Sequence, residues 1–117
     1  MKPLFVCYPK CSTCKKAAMW LGAEGVEVDM RHIVEENPSR EELAEWIAKS
    51  ELPISRFFNT SGMLYREMNL KNKVKTAEAD ELLDLLATDG MLVKRPILIT
   101  DKGVFPGFRE EEWRKLL

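Results

Sequence analysis

The residues best suited to chemistry are two cysteines, Cys11 and Cys14, spaced Cys-x-x-Cys within residues 8–17. A short apolar run before them predicts a strand, and apolar residues at helical spacing after them predict a helix. At such a junction the unpaired N–H groups and the positive end of the helix dipole favour the thiolate of Cys11. Cys14, one turn further on, should lie close enough to form a disulfide. We therefore predict that Cys11 is a nucleophile and that Cys14 is its resolving partner.

Composition and charge exclude several classes of protein. The 117 residues include 18 basic and 19 acidic side chains, and this balance argues against direct binding to nucleic acid. A hydrophobic content of 45% supports one core, so we predict a single domain over residues 1–117. The apolar run at the N-terminus is too short for a signal peptide, and no window is long enough for a membrane span, which predicts a cytoplasmic protein.

Hydrophobic periodicity predicts an α/β fold. The first helix should end near residues 24–25, and the alternation over 26–30 predicts a second strand, parallel to the first. Strands at 97–100 and 104–105, joined by a hairpin turn, should precede a final helix at 109–117. The predicted sheet is therefore β-α-β followed by β-β-α.

Between these halves we predict a helical insertion, at about residues 39–89. Residues 39–42 have the sequence of a capping box, which predicts the start of a helix with Leu43, Trp46 and Ile47 facing inward. A short helix should cover 63–70, with Leu64 and Met68 facing inward, and 71–73 should form a polar break. A further helix should run from Thr76 to about 89.

Other uses of the cysteines can be weighed against redox chemistry. Cys7, Cys11 and Cys14 have the spacing that radical enzymes use to hold an iron–sulfur cluster, but Cys7 falls inside the predicted strand and Thr13 replaces the usual aromatic residue. A zinc site completed by His32 is disfavoured because structural zinc usually draws on two separated ligand pairs. We predict no metal site, a buried apolar role for Cys7 and no role for His32.

Arg95 and Pro96 open the third strand, where a proline is tolerated because the first residue can forgo its N–H bond. A cis bond between them would bring the backbone of Arg95 towards the Cys-x-x-Cys turn. A trans bond would leave Arg95 in solvent. The sequence leaves both conformations open, so Pro96 is a candidate structural cis-proline.

The sequence resembles the ArsC/Spx family over essentially the whole chain. The segments that carry the resemblance are residues 8–17, the 59–62 loop and residues 94–99, followed by Gly103. The resemblance implies a thioredoxin-like fold with a helical insertion. It also implies a catalytic role for Cys11 and an oxyanion-binding role for Arg95 beside Pro96. The other candidate substrate-binding residues are Ser12 and Thr13, with Asn59, Arg109 and Lys15 as further candidates.

The resemblance implies a thiol-disulfide oxidoreductase similar to the arsenate reductases. Cys11 would attack a small oxyanion or disulfide, Arg95 would neutralise the charge of the oxyanion, and Cys14 or an external thiol would resolve the adduct. No bound cofactor is implied, and glutathione, glutaredoxin or thioredoxin would supply electrons. Three features depart from those reductases: Asn59 replaces an arginine, Arg109 is displaced by one residue, and Cys14 has no counterpart.

The intact cysteine pair also resembles the Spx-type regulators. These proteins sense oxidation through an intramolecular disulfide and bind the C-terminal domain of the α subunit of RNA polymerase. The resemblance therefore implies an alternative function, a redox-sensing transcription regulator. A third alternative is a binding protein in which the thiols do no chemistry, and the sequence leaves these alternatives open.

Overall fold

The computed structural model describes residues 2–117, so Met1, the first residue of the predicted domain, lies outside the described residues. The helices and strands follow the order that the sequence predicts. They are β1 Leu4–Cys7, α1 Ser12–Ala23, β2 Asp29–His32, α2 Arg40–Ser50, α3 Met63–Glu67, α4 Leu70–Thr76, α5 Ala79–Thr88, β3 Ile97–Thr100, β4 Gly103–Pro106 and α6 Glu110–Leu116. None of the helices within residues 2–117 is both long enough and apolar enough to cross a bilayer.

Within the described residues the strands form one sheet in the order β2-β1-β3-β4. β1 pairs in parallel with β2, with Leu4 opposite Asp29, and antiparallel with β3, with Leu4 also opposite Ile99. β3 and β4 form an antiparallel hairpin. The predicted fold class is therefore confirmed: a thioredoxin-like β-α-β and β-β-α sheet with α2 to α5 inserted between its halves.

Alternation along the strands gives the sheet two apolar faces. On β1, Phe5 and Cys7 point to the face that α1 and α6 cover, where Trp113 is fully buried. Val6 points to the opposite face, which the helical insertion covers. Cys7 therefore faces α1, the helix whose first turn carries Cys14.

The second strand begins later than the sequence predicts, so the prediction of residues 26–30 was wrong in its bounds. Gly25, with φ of 71°, ends the helix, and the N–H of Val26 still donates to the carbonyl of Leu21 at 3.0 Å. Val28 packs against the α1 face from the connecting segment. The strand starts at Asp29 because that is where β1 offers backbone groups in register.

The capping box at the start of α2 is confirmed. The N–H of Glu42 donates to Ser39 Oγ at 3.1 Å, and the N–H of Ser39 donates to Glu42 Oε1 at 3.0 Å. Leu43 and Trp46 are buried, and Ile47 packs at the edge of the same cluster. Local hydrogen bonding thus fixes where this helix begins, and its apolar stripe fixes which face meets the sheet.

Three predictions in the insertion were wrong. Thr76 does not begin the last helix of the insertion, because it is the final residue of α4 and α5 begins at Ala79. Residues 71–73 are not a polar break, because they lie inside α4, and Met68, predicted to face inward, is 43% exposed. The break occurs earlier, at Asn69, whose φ of 52° is left-handed. Leu70 and Val74, four residues apart, anchor α4 on the core and leave the lysines between them in solvent.

Candidate active site

Cys11 is the N-cap residue of α1, with φ of −83° and ψ of 128°. Its N–H donates to the carbonyl of Tyr8 at 2.9 Å and its carbonyl accepts from the N–H of Lys15 at 3.0 Å. Its thiol makes no capping hydrogen bond. The half-buried sulfur therefore lies beside first-turn N–H groups that have no partner within the helix, a position that suits an anion.

Cys14 is buried directly behind Cys11. Its sulfur accepts a hydrogen bond from the N–H of Tyr8 at 3.4 Å, and it contacts both Cys11 and Cys7. The hydrogen bond that the Cys14 thiol shares with Cys7, together with burial, raises the pKa of Cys14. All three cysteines are free thiols. Reduced Cys14 therefore stays protonated at neutral pH, so Cys11 is the better placed of the two to act as a nucleophile.

A cavity of about 510 Å³ opens in front of Cys11. Its wall includes Thr13, Asn59 and four basic side chains, which are Arg56, Lys94, Arg95 and Arg109, and it includes no acidic residue. None of these four cations forms an ion pair with a described residue. The cavity therefore concentrates positive charge that nearby carboxylates do not offset, so it favours an anionic ligand.

Arg95 is held in place without a carboxylate partner. Its guanidinium lies over the ring of Tyr8, 5.0 Å from the centroid, and its Nη1 lies 3.5 Å from the sulfur of Met91. The Arg95–Pro96 peptide bond is cis. An aromatic face orients a guanidinium without neutralising it, so the charge of Arg95 remains available to a ligand.

The 59–62 loop supplies another part of the wall. Asn59 Nδ2 donates to the carbonyl of Met91 at 3.3 Å, and the backbone N–H of Asn59 donates to the carbonyl of Leu92 at 2.8 Å. A Cβ at Gly62 would lie 2.7 Å from Asn59 Nδ2. The small residue at position 62 therefore allows the loop to close around Asn59.

Two of the three other cations, Arg56 and Lys94, lie against neighbouring groups of the wall. The guanidinium of Arg56 lies 5.8 Å from the ring centroid of Phe105. The chain of Lys94 passes over Gly107, where an added Cβ would meet Lys94 Cε at 3.2 Å. Gly107 has a φ of 89° and its carbonyl accepts a hydrogen bond from Trp113 Nε1 at 2.8 Å. Packing of α6 against this turn therefore supports the lysine side of the cavity.

The structure brings together most of the residues that the sequence singled out. Thr13, Asn59, Arg95 and Arg109 line the cavity with Cys11. Ser12 and Lys15 are exposed on α1 and are not part of this wall.

Sequence patterns did not point to Arg56, to Lys94 or to the contact between Cys7 and Cys14. Lys94 directly precedes Arg95, which is a usable signal, whereas Arg56 gives none. Cys7 is buried, as predicted, but it also contacts a second thiol.

His32 has a structural position at the end of β2. Its Nδ1 accepts the N–H groups of Val34 and Glu35, each at 3.1 Å, and its ring meets that of Tyr8 edge-on at 5.6 Å. Across residues 2–117, no group of three or more His, Cys, Asp or Glu side chains is arranged to hold a metal ion. His32 therefore stabilises the turn after β2 and supports the tyrosine on which Arg95 rests.

Comparisons with known proteins agree with this geometry. Residues 7–116 match the model of the ArsC family. An ArsC-family-related protein of Bacteroides fragilis has a crystal structure that matches with a TM-score of 0.96 and 50% identity, over 100% of this chain and 98% of that one. The uncharacterized protein YusI of Bacillus subtilis is 49% identical over 98% of each chain. The regulatory protein MgsR of the same organism is 32% identical over 96% of this chain and 87% of its own.

A structure described as a possible arsenate reductase of Streptococcus mutans matches with a TM-score of 0.86 and 37% identity, over 96% of this chain and 97% of that one. The global transcriptional regulator Spx of Streptococcus pyogenes is 28% identical over 93% of this chain and 80% of its own. Proteins similar to this chain therefore carry both enzymatic and regulatory names. The family match covers nearly the whole chain, and the Bacteroides fragilis structure superimposes on the full length of this chain. This chain is a thioredoxin-fold member of the ArsC family.

Proposed function

We propose that this protein is a thiol-disulfide oxidoreductase that acts on an anionic substrate, with Cys11 as nucleophile and Cys14 as resolving cysteine. One observation supports this function most: Cys11 lies at a helix N-terminus on the wall of a cavity with four basic side chains and no acidic one. Cys14 lies one turn behind it, protonated and shielded from solvent.

The chemistry follows from these positions. The thiolate of Cys11 attacks either the arsenic of arsenate, releasing water after proton transfer, or one sulfur of a disulfide, releasing the other as a thiol. Cys14 or an external thiol then attacks the sulfur of Cys11. In the arsenate case the electron pair of the broken As–S bond stays with arsenic, which leaves as arsenite. The Cys11–Cys14 disulfide, or the mixed disulfide that an external thiol leaves on Cys11, is then reduced by glutathione, glutaredoxin or thioredoxin.

The four basic side chains of the cavity are relevant to whether it can bind arsenate. The resemblance to the arsenate reductases implies that Arg95 contacts the oxyanion and that Arg109 does so after a shift of one residue. It also shows Asn59 in place of a further arginine. In the structure Arg56 and Lys94 add two more positive charges to the same wall. A binding site for an oxyanion therefore does not depend on an arginine at position 59.

The test couples the protein to glutathione, glutaredoxin and NADPH-dependent glutathione reductase, and NADPH oxidation is followed as arsenate is added. In parallel, reduction of an aromatic disulfide that carries carboxylates is measured with the same donor. We expect the wild type to exceed the rate without protein in at least one assay and Cys11→Ser to match that rate in both. Equal rates for the wild type and Cys11→Ser in both assays would exclude the proposed enzyme.

A second candidate function is a redox-sensing regulator, which the similarity to MgsR and Spx favours. Under this alternative the Cys11–Cys14 disulfide changes the affinity for the C-terminal domain of the RNA polymerase α subunit. A pull-down with that domain, under oxidising and reducing conditions, tests it. Binding in one redox state, abolished by Cys14→Ser, supports the regulator, and absence of binding in both states removes it.

A further inference from the structure

Cys7 contacts the resolving cysteine and has no part in the function proposed above. It is the last residue of β1, and alternation along the strand turns its side chain towards α1. Cys14 lies in the first turn of α1, and both residues are only 2% exposed. Two buried thiols therefore meet directly behind the exposed site, in the same apolar cluster.

Cys14 is the middle member of this group of three thiols. It contacts Cys11 on one side and Cys7 on the other, and the N–H of Tyr8 donates to its sulfur at 3.4 Å. This N–H belongs to the residue that follows Cys7, so the hydrogen bond holds the sulfur of Cys14 over the end of β1. Cys14 is thus in contact with both of its possible disulfide partners.

We propose that Cys7 is a second resolving cysteine, which accepts the disulfide from the active site and stores it in the core as Cys7–Cys14. This inference rests on the proposed function, because the disulfide first forms between Cys11 and Cys14. The thiolate of Cys7 attacks the sulfur of Cys14, the Cys11–Cys14 bond breaks, and Cys11 leaves as a thiolate. The proton of Cys7 passes to solvent and the negative charge ends on Cys11, so atoms, charge and electrons balance and no external oxidant or reductant is consumed.

The direction of this exchange follows from where charge is placed. Before it, the anion must be the thiolate of Cys7. In the reduced protein the hydrogen bond from Cys14 lowers the pKa of Cys7 against the effect of burial, but a Cys14 sulfur in a disulfide has no proton to donate, so burial then disfavours this anion. After it, the anion is at Cys11, beside the helix N-terminus and the four basic side chains of the cavity. The exchange therefore moves negative charge from the core to the site that best stabilises it.

Two consequences follow for the oxidised protein. Cys11 is again available to attack a second substrate while the first pair of oxidising equivalents remains stored. The stored disulfide is buried, so external thiols reach it only after Cys11 attacks Cys14 and reverses the exchange. The arrangement would protect one disulfide from external thiols while Cys11 remains free to react.

The tryptic map of this chain separates the two disulfides. Cleavage after Lys10 and Lys15 places Cys7 in one peptide and both Cys11 and Cys14 in residues 11–15. The reduced full-length protein is mixed with one equivalent of diamide, quenched with acid at increasing times, alkylated with N-ethylmaleimide, digested and analysed without reduction. A Cys11–Cys14 bond gives a single looped peptide, whereas a Cys7–Cys14 bond gives two linked peptides with the alkyl group on Cys11.

We expect the looped peptide to appear first and the linked peptides to replace it as the main disulfide species. The oxidised wild type should also remain reactive towards iodoacetamide at Cys11. Oxidised Cys7→Ser and Cys7→Ala should show only the looped peptide and should have lost this reactivity. Two variants are used because either substitution alone could destabilise the protein. The peptide map of the wild type tests the proposal without either variant.

The outcomes separate this inference from the proposed function. A stable looped peptide in the wild type, with Cys7 recovered unlinked after denaturation, would overturn the relay and leave the Cys11–Cys14 oxidoreductase intact. Absence of any disulfide within the chain, with Cys11 alkylated no faster than free cysteine, would overturn both. Linked peptides in which Cys11 and not Cys14 is joined to Cys7 would also contradict the proposed order.

Discussion

The positive cavity in front of Cys11 can be measured by the reactivity of that one thiol. Iodoacetate and iodoacetamide alkylate by the same reaction, but only the first carries a negative charge. The ratio of their rates at Cys11 therefore reports the local electrostatic potential, and any change in the amount of thiolate cancels. We predict that Arg95→Gln lowers this ratio because it removes a positive charge that no described carboxylate neutralises.

The size of the cavity sets the expected magnitude. A sphere of about 510 Å³ has a radius of about 5 Å, which approximates the distance from a cation of the wall to a bound anion. At about 5 Å in water two unit charges interact by about 0.8 kcal/mol, or about a fourfold change in rate. At about 0.15 M ionic strength, screening over a Debye length of about 8 Å reduces this to about twofold.

Two variants serve as controls for this measurement. Arg95→Lys keeps the charge and should keep a ratio near that of the wild type. Lys102→Gln makes the same change in net charge in the β3–β4 hairpin, at the end of the sheet away from Cys11, and should also leave the ratio unchanged. A ratio for Arg95→Gln equal to that for Lys102→Gln, at both low and physiological salt, would refute the inference that Arg95 faces the reacting sulfur.

Two further predictions concern stability. The hydrogen-bonded ion pair with Arg31 lowers the pKa of Glu42 to about 2, so its stabilisation is complete above the unfolded-state value of about 4.3 and is lost as the pH falls towards 2. Glu42→Gln can still cap α2 but cannot form the ion pair. In urea titrations its free energy of unfolding should therefore fall less than that of the wild type between about pH 5 and 2. Equal falls in the two proteins would contradict this. Gly90→Ala would place a Cβ 2.0 Å from the carbonyl oxygen of Ile33 and should destabilise by at least about 1–3 kcal/mol. Gly22→Ala, in the last turn of α1 with no atom within 4 Å of the added Cβ, should stabilise by up to about 0.5–1 kcal/mol in the same titrations, and the opposite order of the two glycine variants would refute the packing described.

Elements that depend on local interactions were predicted well from the sequence. The capping box at Ser39 uses groups three residues apart, and it forms as predicted. The bounds of β2 were mispredicted because the pairing of Asp29 with Leu4, far apart in the chain, decides where the strand begins. The polar residues 71–73 join a helix because Leu70 and Val74 have a core to pack against, and propensity alone does not report that contact.

The sequence by itself determined the Cys-x-x-Cys turn: a strand, a Cys-x-x-Cys segment and a helix place Cys11 at a helix N-terminus, because spacing and periodicity are local properties. Only the tertiary structure decided what surrounds that sulfur. Arg56 arrives from the insertion and Lys94 from the segment before β3, so no local spacing relates them to Cys11. The contact of Cys7 with Cys14 likewise depends on which face of β1 meets α1, which is fixed when the sheet buries its two faces.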